Sequence, residues 1–239
     1  GIRDLVRSRG LGDVYKRQDN KDLLMTLVLD RNFSVRQSSI SPFIAKSFED
    51  RWTPGKAEDI KFLTKNFKDF DQAIHAVLTG KQIVVIGTDK DEVKRIVQTL
   101  ELFYPQQFPL SIDWTEEFAP EGEIIGTLPT LVKDYKEAVI VNAQNQKIVN
   151  GTTCRYCKNL LSSLLDLEPE GLISATKVKI EMLVEFAKIL IELSKDPTIG
   201  SSSLELIKQD VSTDAAEVIF DIAKGFDPSI IEIIKENWL

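Results

Sequence analysis

Residues 82–100 read QIVVIGTDKDEVKRIVQTL, and a change of hydrophobic period inside this stretch decides the fold class. Gln82 to Gly87 is a short, nearly continuous apolar run rich in β-branched side chains, as a strand buried on both faces requires. Beyond it Val93, Ile96, Val97, Leu100 and Phe103 recur at helical spacings and predict a helix with one apolar face. Thr88, three residues before Asp91, predicts the N-cap of that helix in a capping-box pattern with Asp in place of Glu. Upstream, Ile60, Leu63, Phe67, Phe70, Ile74, Val77 and Leu78 recur every three or four residues and predict a helix that Gly80 terminates. Helix, strand and helix in succession open a layered α/β domain.

Downstream, Phe108, Leu110, Ile112 and Trp114 alternate with polar or small residues and predict a half-buried strand, which Pro109 assigns to an edge or to its first residues. Two more strands are predicted, EIIGTL at 123–128 and AVIVNA at 138–143. The second turns at Gln144 and Asn145 into KIV at 147–149, a hairpin. From Thr152 onward the pattern is helical. DLEPEG at 166–171 is the clearest boundary candidate, and residues 172–239 form an all-helical subdomain with 12 acidic and 7 basic residues. Within it, Ile180, Leu183, Ala187 and Leu190 make one apolar line and Met182, Phe186, Ile189 and Leu193 a second, so that helix is covered on more than one side. Shorter helices are expected at 203–209, 212–224 and 228–237.

Residues 1–18, GIRDLVRSRGLGDVYKRQ, hold five basic and two acidic side chains and no useful apolar stripe. Their wording resembles a translated adapter remnant, so they are set aside from the fold. Residues 19–56, with RQSSISPF and the turn RWTPG, are expected to be a linker or the exit of an upstream domain. From residue 19 to the end the chain carries 25 Lys and Arg against 35 Asp and Glu, a surplus of ten negative charges that excludes nucleic acid as an expected partner. No stretch approaches the roughly 18 consecutive apolar residues of a membrane span, so none is expected. Two cysteines in 239 residues do not staple a secreted scaffold, and a reducing, cytoplasmic compartment is the expectation.

Chemical motifs are sparse. Cys154 and Cys157, in CRYC, continue into Leu161 and Leu164 at helical spacing and are assigned to buried packing; a redox-sensitive pair and part of a metal site are the alternatives. The sole histidine, His75, is expected at a helix surface or boundary. GTDKD at 87–91 has neither GxGxxG nor GxxxxGK[ST], so it reads as a strand-to-helix connection and not as a phosphate cradle. Glu116, Glu117, Glu121 and Glu123 surround Pro120 and Gly122 without the register of a calcium loop, and read as a solvated loop. Trp114 is assigned to the core. Lys94, Arg95 and the penultimate Trp238 are the candidate interface residues. No catalytic, cofactor-binding or metal-binding residue is assigned.

Taken together, HAVLTGKQIVVIGTDKDEVKRIVQTLELFYP at 75–105 resembles the central DENN domain of the folliculin and Smith-Magenis-region candidate protein class. The resemblance rests on Gly80-Lys81, the strand Gln82 to Ile86 and the phrase Tyr104-Pro105. It continues in EIIGTLP at 123–129, where Gly126 matches the family's small residue, and in AVIVNA. It implies a central DENN-like α/β domain over 57–166, a layered sheet with flanking helices, followed by the downstream helical DENN-like part over 172–239. It also implies a protein-interaction module of a small-GTPase regulator, by exchange or GTPase activation, with a second DENN/longin-family protein and a small GTPase as partners. Recruitment to lysosomal membrane would then occur only through those partners. The family's activating arginine belongs to a longin domain that the resemblance does not cover, so no catalytic residue is carried over. An unrelated interaction scaffold and an enzyme with an unrecognised site are the competing readings, because a fold alone does not fix function.

Overall fold

The computed structural model describes residues 52–53, 55–105, 110–195 and 213–233 of the chain, all within the unit spanning residues 50–239. The expected helix at 203–209, the part of the expected helix at 228–237 that follows residue 233, Trp238, and residues 1–51 lie outside the described residues.

The chain begins with α1 (Gly55–Asn66) and α2 (Phe70–Leu78), then β1 (Ile83–Ile86), α3 (Lys90–Leu100) and a 3-10 turn at Glu101–Phe103. β2 (Ser111–Thr115), β3 (Ile124–Thr127), a 3-10 segment at Pro129–Asp134, β4 (Val139–Asn142) and β5 (Lys147–Val149) follow. α4 (Arg155–Leu165), α5 (Pro169–Ser194) and α6 (Thr213–Phe226) complete the described elements. The strands form one sheet in the order β2-β3-β1-β4-β5. β1 lies at its centre, parallel to β3 and β4; β2 is parallel to β3 at one edge, and β5 closes the other edge as an antiparallel hairpin with β4. This is a mixed α/β protein, as the period change at residue 87 predicts.

One helix predicted upstream of β1 is two. The chain breaks at Phe67–Asp69, where Phe67 N–H still reaches Leu63 O at 2.9 Å but Phe70 N–H turns back to Phe67 O. The break lets both phenyl rings enter the core, 6.1 Å apart. α2 then ends as the sequence requires. Gly80 adopts φ +70°, and Gly80 N–H and Lys81 N–H return to Val77 O and Ala76 O, the paired bonds of a Schellman cap. The N-cap of α3 falls one residue after the predicted Thr88: the Asp89 carboxylate accepts from the N–H groups of Asp91 and Glu92. Thr88 instead receives a hydrogen bond from Gln144 Nε2 at 2.7 Å.

The two faces of the sheet are covered unequally. On one, Ile83, Val85, Ile124, Val139 and Val141 merge with buried residues of α1 to α6 into one core. α5 contributes Ile180, Leu183, Ala187 and Leu190 to that core, while its second line, Met182, Phe186, Ile189 and Leu193, is half-buried. On the other face Val84, Ile86, Ile125 and Ile140 meet Tyr135, Ala138 and the side chains of Ile112, Leu131 and Val132. No described helix enters that second cluster; the 3-10 segment and the β2–β3 connection cover it. β1 is buried on both sides because it lies between these two layers.

Edge strand β2 is irregular. Its register against β3 shifts between Ile112 and Thr115, the mark of a β-bulge. In consequence Asp113 and Trp114 both reach α3: Gln98 Nε2 donates to Asp113 at 2.9 Å, and Lys90 Nζ lies 5.8 Å from the Trp114 ring centroid. Trp114 is therefore half-buried against the main core and not inside it, a correction to its core assignment. Gly126 makes the bulge possible. A Cβ there would lie 2.2 Å from Asp113 O and 2.7 Å from Val93 Cγ1, so only glycine lets β2 and α3 approach β3 this closely.

Candidate functional site

Two places bring together residues that the sequence singles out. The first is the outer face of α1 and α3. Arg95 projects from α3 away from the apolar line Val93, Ile96, Val97 and Leu100, but it is not free. Its guanidinium pairs with Asp59 on α1 and lies 4.8 Å from the Phe62 ring centroid, an ion pair and a cation–π contact on the same neighbour. Asp59 also faces Lys56 Nζ at 3.6 Å, and Lys56 donates to Gln98 Oε1 at 3.1 Å. Arg95 thus ties α1 to α3, and the pair together with Gln98–Asp113 links α1, α3 and β2 into one polar seam. Lys94 is half-exposed beside it.

The second is the N-terminus of α4. Sequence spacing places both thiols on the apolar face of this helix; the structure places only Cys157 there. Cys154 is the N-cap, in extended backbone, and its Sγ accepts the Cys157 N–H at 3.3 Å. Its own N–H donates to the buried Asp71 carboxylate of α2 at 3.1 Å. Both cysteines are buried and unlinked. The hydrogen bond from the Cys157 thiol, with backbone N–H groups of Cys157 and Tyr156 assisting and burial opposing, brings Cys154 down to about 7. The same thiol contact, then burial, pushes Cys157 up. Burial, reinforced by the two thiols, pushes the neighbouring Tyr156 phenol up to about 12. Tyr156, Asn159, Leu160, Ser163, Lys179 and Asp214 line a shallow cleft between α4, α5 and α6.

His75 is buried, inward of the expected helix surface or boundary. Its Nε2 lies 3.6 Å from Asp221 of α6, its Nδ1 has no hydrogen-bond partner, and burial lowers its pKa despite Asp221. The acidic residues 116–123 form the β2–β3 crossover. Phe118 packs on Tyr135 with ring centroids 4.9 Å apart, the Tyr135 hydroxyl accepts from Ala119 N–H, and Gln82 Nε2 donates to the carbonyls of Pro120 and Gly122. Glu123 accepts from Leu110 N–H at 2.8 Å and holds the Tyr104 phenol, whose pKa burial pushes up. These contacts give the loop a structural task. Among the described residues no group of three or more His, Cys, Asp and Glu side chains is arranged to hold a metal ion, and no helix is long and apolar enough to cross a membrane. The β1–α3 turn at Gly87–Asp89 presents a carboxylate to its own helix N-terminus, occupying the groups a phosphate would use.

Missing from the sequence reading are Asp59, Asp71 and Gln98, the partners that fix these sites. Asp59 and Gln98 are half-buried on helices whose amphipathic pattern explains a boundary position equally well, and Asp71 is buried in the first turn of α2, where an acidic residue is ordinary, so no local signal marks any of them. Residues 61–174 match the family described as guanine nucleotide exchange protein SMCR8, C-terminal domain. The match begins inside α1, includes all five strands and α4, and ends in the first turns of α5. No curated protein matches the chain.

Proposed function

We propose, on the premise that residues 61–174 match the C-terminal domain of a guanine nucleotide exchange protein, that the chain is a non-catalytic interaction module of a small-GTPase exchange or activation complex. In this reading it is DENN-like, its partners are a second DENN/longin-family protein and a small GTPase, and it reaches lysosomal or other membranes through them. The family match carries the proposal. The state of Arg95 supports the non-catalytic part: an activating arginine must place its charge against the transferring phosphoryl group, whereas Arg95 is held by Asp59 and Phe62. The negative charge of the chain supports recruitment through partners, because an acidic surface is not drawn to anionic lipid on its own.

The test is reconstitution. The chain is titrated into a longin/DENN partner and a panel of Rag-, Arf- and Rab-type GTPases, with binding, fluorescent-nucleotide release and GTP hydrolysis followed in parallel. The expected result is association with the DENN/longin partner and no acceleration of hydrolysis by the chain alone. Calorimetry with GDP and GTP in magnesium is expected to give no saturable heat. Failure to bind every partner, or hydrolysis accelerated at sub-stoichiometric concentration and abolished by Arg95→Ala, would overturn the assignment.

A further inference from the structure

The α4 N-terminus holds a chemistry that the GTPase reading does not use. Cys154 and Cys157 are three residues apart around a first helical turn, which brings their Cα atoms to about 5–6 Å, inside the range of about 4.4–6.8 Å that a disulfide spans. The two residues already meet at the cap: Cys154 Sγ accepts the Cys157 N–H at 3.3 Å, on the residue that carries the second thiol. Cys154 occupies the cap position, where unpaired N–H groups and the positive end of the helix favour a thiolate. The Asp71 carboxylate opposes that charge but pins the Cys154 backbone in place. The two thiols also differ in access, Cys154 being 7% exposed and Cys157 0%. The chain has no further cysteine, and no cluster of metal ligands among the described residues competes for these two.

We propose that Cys154 and Cys157 form a reversible dithiol–disulfide site that exchanges with low-molecular-weight disulfides such as glutathione disulfide, Cys154 attacking and Cys157 resolving. The Cys154 thiolate attacks one sulfur of the small disulfide. That S–S bond breaks, one small thiolate leaves, and a mixed disulfide remains on Cys154. Cys157 then gives up its proton and attacks the Cys154 sulfur, which expels the second small thiolate. The two protein thiols are oxidised to one disulfide, the small disulfide is reduced to two thiols, and the two protein protons end on them. The division of acidity suits this order, because an attacking thiol works best with a pKa near ambient pH. The resolving thiol stays protonated until the mixed disulfide takes the negative charge off the Cys154 sulfur beside it.

The experiment exposes the full chain, native by circular dichroism, to glutathione buffers of increasing oxidised fraction, followed by acid quench, alkylation and peptide mass mapping. The wild type is expected to lose both alkylation sites together and to yield a peptide with a Cys154–Cys157 link. Cys157→Ala is expected to accumulate a glutathione adduct on Cys154. Cys154→Ser, in which the serine hydroxyl retains the cap, is expected to form adduct at least ~10-fold more slowly than Cys157→Ala, since Cys157 is fully buried and burial keeps its thiol both protonated and out of reach. A urea series on the wild type separates this from unfolding, because exchange in the native state rises with urea less steeply than global unfolding does. Native chain that stays reduced in the most oxidising buffer, oxidation that tracks global unfolding, or adduct that forms on Cys157 as fast as on Cys154 would each overturn the proposal.

Discussion

Replacing Gly126 by alanine puts a methyl group where the structure has no room for one. The added Cβ would stand 2.2 Å from Asp113 O, 3.0 Å from Asp113 C and 2.7 Å from Val93 Cγ1, whereas ordinary contact begins at 3.4 Å. Val93 can rotate away, but the Asp113 carbonyl is backbone in the bulge of β2, so strand must separate from strand by roughly 1 Å to relieve the overlap. Overpacking a rigid core costs about 1–3 kcal/mol, and a clash with backbone on a strand buried on both faces belongs at the upper end, about 3 kcal/mol. For a chain of this size that lowers Tm by about 6–12 °C. The assay is thermal and urea unfolding followed by circular dichroism, with Gly171→Ala as control. Gly171 lies in the first turn of α5 with no atom within 4 Å of an added Cβ, so that change is expected to be neutral or stabilising by up to about 1 kcal/mol. A Gly126→Ala chain as stable as the wild type, or a control that loses as much, would refute the account of the bulge.

Asp89→Ala, which removes the acceptor for two N–H groups of α3, is expected to cost about 1 kcal/mol, and Thr88→Ala less; equal losses in urea midpoint would contradict the cap assignment. Arg95→Ala is expected to cost about 1 kcal/mol through its lost contacts with α1, with Asp59→Ala largely non-additive to it in a double-mutant cycle; full additivity would show that the pair is not formed. His75 is harder to protonate in the folded chain than its usual 6.5, with burial the main cause, so the unfolded chain takes up the extra proton as pH falls through that value. Stability should therefore be fully present above about pH 6.5 and decline on acidification, and the decline should be shallower in His75→Gln. Identical pH profiles for the two chains would remove His75 from the argument.

What is legible in the sequence is local. The run Ile83 to Ile86, the face Val93, Ile96, Val97 and Leu100, and the turn at Gln144–Asn145 each carry their period or turn chemistry within a few residues, and each element forms where it is expected. The errors are of two kinds. Thr88 and Asp89 are adjacent cap-type residues, and the choice between them depends on Gln144, distant in sequence, which engages the threonine. Phe67 and Phe70 keep helical spacing across a break that only the core reveals. The candidate sites are less legible still. The Arg95 partner, Asp59, and the Cys154 partner, Asp71, both lie on other helices far back along the chain, so their roles follow from helix packing and not from any motif. CRYC is visible as a pattern, but its place at a helix cap, which separates the two thiols chemically, is not.

The central place of β1 also bears on how the chain is made. Ile83 to Ile86 is translated first among the described strands, yet both its partners come late: Ile83 pairs with Ile124 and with Val139, and α3 and β2 are synthesised before either. At ribosomal rates of about 5–20 residues per second, the most apolar strand waits roughly 2–11 s with open edges. Among the described elements, those available to shelter it in that interval are α1 and α2, already synthesised, and α3, which follows directly. Nascent chains stalled after residue 105 should therefore hold this strand against helices alone, and be more prone to capture by chaperones than chains extended past Val149.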